Sequence, residues 1–432
     1  MTDLPAVNIT TPLVVGTATT VAAVLFVVLL LRTITRWIAH AALTLGLGAL
    51  LGVVLIWLIT DVFNIFGIRF STITVLWVSA LCASLALAAL NFRHSKLWRK
   101  ITAAISLVVF VVTAGLGINA DIGLNRTLGS LMGISTAKEI RLPEITSPSA
   151  TPTEPLWTHR KPPSDMPDKG LQGKKRIPAT ASGFVARDAG IYLPPAAQVT
   201  NPPQLPLVIM LMGQPGNPDP ADIASVLDGF AGKNKGLAPI VIVADQIGPG
   251  QNDTGCLDTD RYGNVETYII KDVVNYAKSQ LNILQEPKYW TIAGYSNGGQ
   301  CAVSLGAKHQ NVFGNILSIS GEEFPGAENP KATLNDLFNG NQAAYDAQKP
   351  VALLAKNRFE DTTAVFTVGA NDTPYKPAAQ KLYQAATQSG MATTYHEVSN
   401  AGHLADALKG GLEKGFDVLY PRLGLSPCPK TS

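Results

Sequence analysis

The sequence has few of the residue types that build metal sites and no large excess of charge. Its 432 residues include four cysteines and six histidines. No Cys-x-x-Cys pair and no paired-histidine spacing occurs, which disfavours a zinc site. The formal net charge is only +3, so nothing indicates a nucleic-acid partner. We therefore expect no metal, no cofactor and no nucleic acid.

Charge is also missing from four apolar stretches in the first third of the chain. Each is about long enough to cross a bilayer as a helix, and none contains Asp, Glu, Lys or Arg. A cleaved signal peptide is disfavoured because no basic region precedes the first stretch and three more follow. We predict a four-helix transmembrane domain over residues 1–120. The stretches run from Leu13 to Leu31, Ile38 to Ile59, Ile73 to Leu90 and Ile101 to Gly117.

Basic residues between the stretches predict an orientation. The second connection has Arg69 set against Asp61, whereas the first and third are richer in basic residues. Basic loops stay on the cytoplasmic side, so loops one and three should be cytoplasmic. We therefore expect the N-terminus and everything after Gly117 outside the cytoplasm. The basic residues of loops one and three are Arg32, Arg36, Arg93, Lys96, Arg99 and Lys100.

Residues 121–180 are predicted to be a linker that is Pro-rich in its later part. The basic run Lys174–Arg176 closes it, and we interpret that run as solvated or facing lipid headgroups. Residues 181–432 have no further apolar span and an ordinary globular composition. They are predicted to be one exported soluble domain.

Strands alternate with helices along this last region. The first predicted strand runs from Phe184 to Leu193, and one of the later helices lies near Leu334 to Ala347. Such alternation is typical of a mainly parallel sheet covered by helices on both faces. The predicted fold class is therefore an α-helical membrane domain followed by an α/β-hydrolase domain.

Ser296 is the candidate nucleophile. It is the serine of a Gly-x-Ser-x-Gly sequence, residues 294–298, between the strand-like run 288–293 and a stretch of small residues that can begin a helix. A strand-to-helix turn exposes the serine hydroxyl, and glycines allow the sharp turn. The same five-residue pattern also arises by chance, so its flanking elements carry the interpretation.

His403 is the candidate base. It lies in the short loop 399–404, after a strand-like run that ends at Val398 and before an amphipathic helix. The expected order along an α/β-hydrolase chain is Ser, acid, His, which this position satisfies. A surface histidine without catalytic function is the alternative.

Asp372 is the candidate acid, because it follows the buried strand-like run 364–369. A carboxylate there would hold the His403 tautomer and stabilise the imidazolium. Asp372 could instead cap the helix that starts near Pro374. Glu322 and Glu323 are rival acids, since they end the preceding strand.

The candidate oxyanion donors are the backbone N–H groups of Gln214 and Asn297. Gln214 lies in the loop after the apolar strand 205–211, and Asn297 follows the nucleophile. Pro215 has no N–H to offer. An ordinary Gly-Pro turn is the alternative interpretation of this loop.

Three of the four cysteines fall in the exported region, where disulfides can form. Cys301 begins the helix behind Ser296, and Cys256 lies in a loop after the strand 239–245. Neighbouring parallel strands could bring these regions together, so Cys256–Cys301 is the predicted bridge. Cys428 is then free or bound elsewhere, and Cys82 is a packing residue in a membrane segment.

Several segments resemble one family. They are residues 256–258, 263–268, 294–302 and 312–321, and they look like the actinobacterial putative-esterase group, related to the esterase D and antigen 85 mycolyltransferase branch of the α/β hydrolases. The resemblance covers roughly Pro178 to Pro421. It implies a serine esterase or acyltransferase at the cell envelope, with Ser296 and His403 as nucleophile and base. Glu266 and Thr267 match a Glu-Thr pair of that group, which we interpret as structural.

These observations predict a membrane-anchored extracytoplasmic serine esterase. Its expected partners are membrane lipids and an ester substrate near the membrane, such as an acylated or aminoacylated lipid or an envelope glycolipid. An acyltransferase using the same residues is the first alternative. Mycolyl transfer is disfavoured because the mycolyltransferases use a glutamate acid and lack a four-span anchor. A non-catalytic envelope binding scaffold is the second alternative.

Overall fold

The computed structural model describes residues 4–32, 35–63, 70–93, 95–123, 125–132, 137–143 and 154–428. The chain divides into two compact units, residues 1–136 and 137–432. Arg69 of the second predicted loop and residues 144–153 of the predicted linker lie outside the described residues.

The first unit is helical. Four of its helices are long and apolar enough to cross a membrane, which confirms the four predicted stretches as helices of that kind. Many of their large apolar side chains are exposed, including Leu47 and Val108, as expected for helices that contact lipid. α3 packs against α2 and α4, and α1 packs against α4. The helices are α1 (Pro12–Leu30), α2 (Thr35–Trp57, continued by a π-turn over Leu58–Val62), α3 (Thr72–Leu90), α4 (Leu97–Ile122) and the short α5 (Leu128–Leu131).

The second unit contains an eight-stranded sheet with the strand order β1-β2-β4-β3-β7-β8-β9-β10. β1 and β2 are antiparallel to their neighbours, and the six strands from β4 to β10 in this order are parallel to one another. A separate two-stranded sheet pairs β5 with β6. The strands are β1 (Leu171–Lys175), β2 (Ala189–Leu193), β3 (Leu207–Leu211), β4 (Ile240–Ala244), β5 (Asp258–Thr259), β6 (Gly263–Asn264), β7 (Trp290–Tyr295), β8 (Asn315–Ile319), β9 (Thr363–Gly369) and β10 (Ala392–Val398).

Helices cover this sheet, and the central strands are buried along their whole length because both of their faces are covered. The mainly parallel α/β architecture is the predicted one. The helices are α6 (Leu156–His159), α7 (Ala221–Lys233), α8 (Val265–Thr267) and α9 (Val274–Gln280) with a π-helix between them, α10 (Asn297–Lys308), α11 (Pro330–Phe338), α12 (Gln342–Gln348), α13 (Pro350–Leu354), α14 (Lys376–Gln388) and α15 (Ala405–Arg422).

Three segments differ from their predictions. Residues 184–188 are not part of β2, because the Arg187 N–H donates to the Asp245 carboxylate instead of to a neighbouring strand. The helix predicted near Leu334 to Ala347 is two helices, separated by Asn339 and Gly340 with positive φ of 50° and 76°. Lys174 and Lys175, assigned to the linker by sequence, lie in the edge strand β1. There Lys175 pairs with Glu139 at 2.6 Å.

Candidate active site

Ser296 lies at the sharp turn between β7 and α10. Its backbone has φ 56° and ψ −121°, a conformation that non-glycine residues rarely adopt. The turn requires glycine on both sides. A Cβ on Gly294 would lie 1.9 Å from the Gly298 carbonyl oxygen, and a Cβ on Gly298 would lie 2.2 Å from that of Leu211. The Gly-x-Ser-x-Gly sequence therefore forms the predicted strand-to-helix elbow.

His403 connects Ser296 to Asp372. Its Nε2 lies 2.9 Å from the Ser296 Oγ, and its Nδ1 lies 2.7 Å from the Asp372 Oδ2. Ser296 is 8% exposed, His403 6% and Asp372 2%, so little water competes for these hydrogen bonds. The structure thus brings together the three residues selected from sequence. In this geometry a carboxylate at Asp372 can accept an Nδ1–H, and Nε2 then faces the serine hydroxyl.

The rival positions for the acid are occupied differently. Glu323 pairs with Lys381, and within the described residues neither Glu322 nor Glu323 hydrogen-bonds to His403. The structure also differs from the alternative in which the Asp372 side chain caps a helix that starts near Pro374. α14 begins at Lys376, and Asp372 supports its start through its backbone oxygen, which accepts from the Lys376 N–H at 3.0 Å. Its carboxylate is directed to the imidazole.

Two tyrosines that sequence reasoning missed hold His403 in place. The Tyr295 hydroxyl donates to the His403 carbonyl oxygen. The Tyr375 ring lies against the imidazole, with ring centroids 3.9 Å apart, and its hydroxyl donates to Glu328 Oε1 at 3.0 Å. Tyr295 occupies the variable position directly before the serine of the Gly-x-Ser-x-Gly sequence. Its place beside Ser296 therefore follows from the sequence, but its hydrogen bond to His403 does not.

Residues 212–216, which we call the oxyanion turn, lie beside the nucleophile. A Cβ placed on Gly213 would be 3.3 Å from the Ser296 Cβ. Within the part of the chain that the structure describes, the backbone N–H groups of Gln214 and Asn297 donate to no protein acceptor. Both amides are therefore available to a ligand. Their assignment as oxyanion donors stays a prediction.

Residues 245–257, which we call the β4 loop, pack against both the turn and α10. Gln246 Nε2 donates to the Met212 carbonyl oxygen. The Asn297 side-chain Nδ2 donates to Asp253 Oδ1 at 3.0 Å. A disulfide joins Cys256 of this loop to Cys301 of α10, as predicted from sequence. Cys428 is a free, exposed thiol, and Cys82 is a free thiol within α3.

Three carboxyl groups near the site have raised pKa values. Burial raises the pKa of Glu322 well above its ordinary value, with further contributions from Asp253 and Glu328. Burial also raises the pKa of Asp253 and that of Glu328. Glu322 is 5% exposed, and its Oε2 has no hydrogen-bond partner among the described residues. Across those residues, no group of three His, Cys, Asp or Glu side chains could hold a metal ion.

A family model described as Putative esterase matches residues 186–410. This segment contains Ser296, Asp372 and His403. The chain belongs to this family. It is a serine hydrolase of carboxylic esters with an α/β-hydrolase fold, as the sequence resemblance implied. An uncharacterized protein of Corynebacterium glutamicum is 30% identical over 368 residues, which cover 81% of this chain and 83% of that protein.

Solved structures resemble the second unit of this esterase. An S-formylglutathione hydrolase from Agrobacterium tumefaciens has a TM-score of 0.50 and 16% identity, and the match covers 60% of this chain and 97% of that one. The Staphylococcus aureus fluorophosphonate-binding serine hydrolase FphF has a TM-score of 0.47 and 12% identity, over 58% and 98% of the two chains. At these identities the likeness concerns the fold alone.

Proposed function

We propose that this esterase cleaves a carboxylic ester through an acyl-Ser296 intermediate. The observation that supports the proposal is the buried hydrogen-bonded chain from Ser296 Oγ through His403 to Asp372, with distances of 2.9 Å and 2.7 Å. Nucleophile and base within hydrogen-bond reach, with the base oriented by a third group, are the geometric requirements for covalent catalysis.

Each half of the reaction transfers one proton through His403. Ser296 Oγ attacks the ester carbonyl carbon while Nε2 takes the hydroxyl proton, and Nε2 then gives that proton to the departing alkoxide as the C–O bond breaks. Water attacks the acyl carbon in the second half and passes a proton to Nε2. The carboxylic acid leaves as Ser296 Oγ regains a proton. Asp372 stabilises the imidazolium in both halves.

The oxyanion formed in each half lies next to the oxyanion turn. The N–H groups of Gln214 and Asn297 donate to no protein acceptor in the described chain. Asn297 follows Ser296 in sequence, and Gln214 follows Gly213, which lies beside Ser296. Removing one such donor typically costs about 10²–10³ in rate, so these two amides supply much of the stabilisation of the transition state.

The substrate is an ester in or near a membrane, such as an acylated or aminoacylated lipid or an envelope glycolipid. Support comes from the four apolar helices of the same chain, which are long enough to anchor it in a bilayer. A tether raises the effective concentration of an enzyme around substrates in the same membrane. The catalytic unit is then on the extracytoplasmic side, in agreement with the loop charges.

Kinetics with matched serine variants tests this proposal. The Ser296→Ala and Ser399→Ala variants of the full-length protein are assayed in detergent. The substrates are short-chain nitrophenyl esters and lipid extract. Ser399 is an exposed serine near His403 in sequence and serves as the control. We expect loss of hydrolysis in the first variant only. Turnover that survives Ser296→Ala contradicts the proposal, and acyl transfer to added sugar or lipid alcohols in place of acid release would favour the acyltransferase.

A further inference from the structure

Within the described residues no hydrogen bond joins two members of the oxyanion turn, which is held by hydrogen bonds to neighbouring segments. On one side Arg187 Nη1 donates to the Gly216 carbonyl oxygen at 2.9 Å. On the other side Gln251 of the β4 loop accepts two hydrogen bonds from the turn. Its backbone oxygen accepts from Gln214 Nε2 at 2.7 Å, and its side-chain Oε1 accepts from the Gly216 N–H at 2.8 Å.

Gln251 is itself held in an unusual conformation. Its φ is 55°, in the left-handed region that costs free energy for a residue with a Cβ. Its N–H donates to the Gly248 carbonyl oxygen at 3.2 Å, which closes a turn within the β4 loop. This conformation lets the backbone oxygen and the side chain of one residue reach the same neighbouring turn.

The β4 loop is anchored so that it can serve as a support. Thr254 Oγ1 donates to the Gln246 carbonyl oxygen at 2.8 Å, and the Asn252 N–H donates to Ile247 at 3.1 Å. The disulfide from Cys256 ties the end of the loop to α10, the helix that follows the nucleophile. Gln251 therefore connects the turn to the helix that carries Asn297.

We propose that Gln251 is a positioning residue that fixes the Gln214 N–H relative to Ser296. The inference rests on the proposed function, because it takes Gln214 as an oxyanion donor. An oxyanion donor acts only when it is preorganised, since reorientation during the reaction cancels its advantage. Two hydrogen bonds from one residue to both sides of Pro215 restrict the turn at Gln214 and at Gly216.

The test uses full-length protein in detergent and three variants. Gln251→Gly removes Oε1 and tolerates the positive φ, so its backbone adds no steric strain. Gln251→Asn also tolerates that φ but has a side chain one methylene shorter. Asn252→Ala is the control, because no hydrogen bond joins the Asn252 side chain to the turn in the described chain. Each is assayed for kcat and KM with a nitrophenyl ester and for inhibition by a trifluoromethyl ketone.

We expect Gln251→Gly to lower kcat by about 10- to 100-fold, below the full loss of a donor. KM should change by less than about threefold, since the donor acts mainly in the transition state. The affinity for the trifluoromethyl ketone, whose serine adduct carries an oxyanion, should fall by a factor similar to the fall in kcat. Gln251→Asn should lie between wild type and Gln251→Gly, and Asn252→Ala should match wild type.

Failure of the proposed function and failure of the role of Gln251 give different results. Activity that survives Ser296→Ala would overturn the proposed function, and this inference with it. An inactive Ser296→Ala together with wild-type kcat in both Gln251 variants would overturn only the role of Gln251. A fall in kcat without a matching loss of ketone affinity would also contradict it, because the oxyanion contact would then be intact and the activity lost for another reason.

Discussion

The Asp372 carboxylate contacts the His403 imidazole through a hydrogen bond of 2.7 Å, which we propose sets the imidazole tautomer. In Asp372→Asn the amide can donate to Nδ1, which favours the tautomer that carries its proton on Nε2 and cannot accept from Ser296. We expect kcat/KM for a nitrophenyl ester to fall by about 10³–10⁴ at neutral pH. The control is Glu323→Gln, at the rejected acid position, which should leave kcat/KM unchanged. Equal losses in the two variants would contradict the assignment of the acid.

Glu322 makes stability depend on pH. Burial, aided by Asp253 and Glu328, raises the pKa of this carboxyl above its ordinary value of 4.5. Above pH 4.5 Glu322 releases its proton in the unfolded chain, whereas in the folded chain it keeps the proton until the pH passes the raised pKa. Wild type therefore loses stability across this window as the pH rises. Below pH 4.5 the carboxyl is protonated in both states.

Glu322→Gln removes this pH dependence. We expect its free energy of unfolding, relative to wild type, to be flat at acid pH and to increase as the pH rises above 4.5. Thermal unfolding of the full-length protein in detergent at several pH values measures the difference. Glu323→Gln, with its side chain paired to Lys381, is the comparison. A difference that stays flat or shrinks with rising pH would contradict a raised pKa of Glu322 in the folded state.

The elbow and the Ser–Asp–His order could be predicted because local rules determine them. Glycine at 294 and 298 is required by backbone contacts below 2.5 Å, and such requirements leave a pattern in the sequence. Asp372 follows the buried apolar strand β9, and His403 follows β10, whose residues alternate as in a strand, so both places at strand ends could be predicted. The disulfide was predicted correctly, although one premise of the prediction was wrong: β4 and β7 are not neighbours, because β3 lies between them in the sheet.

The edge strand and the supports of the turn could not be predicted. β1 reads Leu-Gln-Gly-Lys-Lys, which has no strand-like apolar pattern, and its pairing with β2 on one side and with residues 138–140 on the other makes it a strand. Gln251 and Arg187 act through polar contacts that depend on loop conformation. Positive φ at Gln251 and Cys256 shapes the β4 loop, yet neither residue type indicates such an angle.

The disulfide is the covalent link between the β4 loop and α10. It closes a loop of 45 residues, for which chain entropy predicts a stabilisation of about 4 kcal/mol, with measured values typically about 2–4 kcal/mol. We expect the double variant Cys256→Ser/Cys301→Ser to unfold at lower temperature and with that loss of free energy. Cys428→Ser, which removes a free thiol, is the control. A double variant as stable as wild type without reductant would contradict a bridge.

The chain as a whole combines four apolar helices with one esterase unit, and loop charges predict that the esterase unit is outside the cytoplasm. Cys428 is an exposed free thiol of that unit, which makes it a reporter of sidedness. We expect a membrane-impermeant maleimide to label the wild-type protein in intact cells and not to label the Cys428→Ser protein. Labelling that appears only after the cells are opened would place the unit in the cytoplasm.

We propose that the Ser296 hydroxyl is the nucleophile, and mapping the residue that a covalent inhibitor modifies tests this proposal. Full-length protein is treated with a fluorophosphonate, digested and analysed by peptide mass spectrometry. We expect one adduct, on the peptide that contains Ser296, and none in Ser296→Ala. An adduct on a different serine that persists in Ser296→Ala would contradict it.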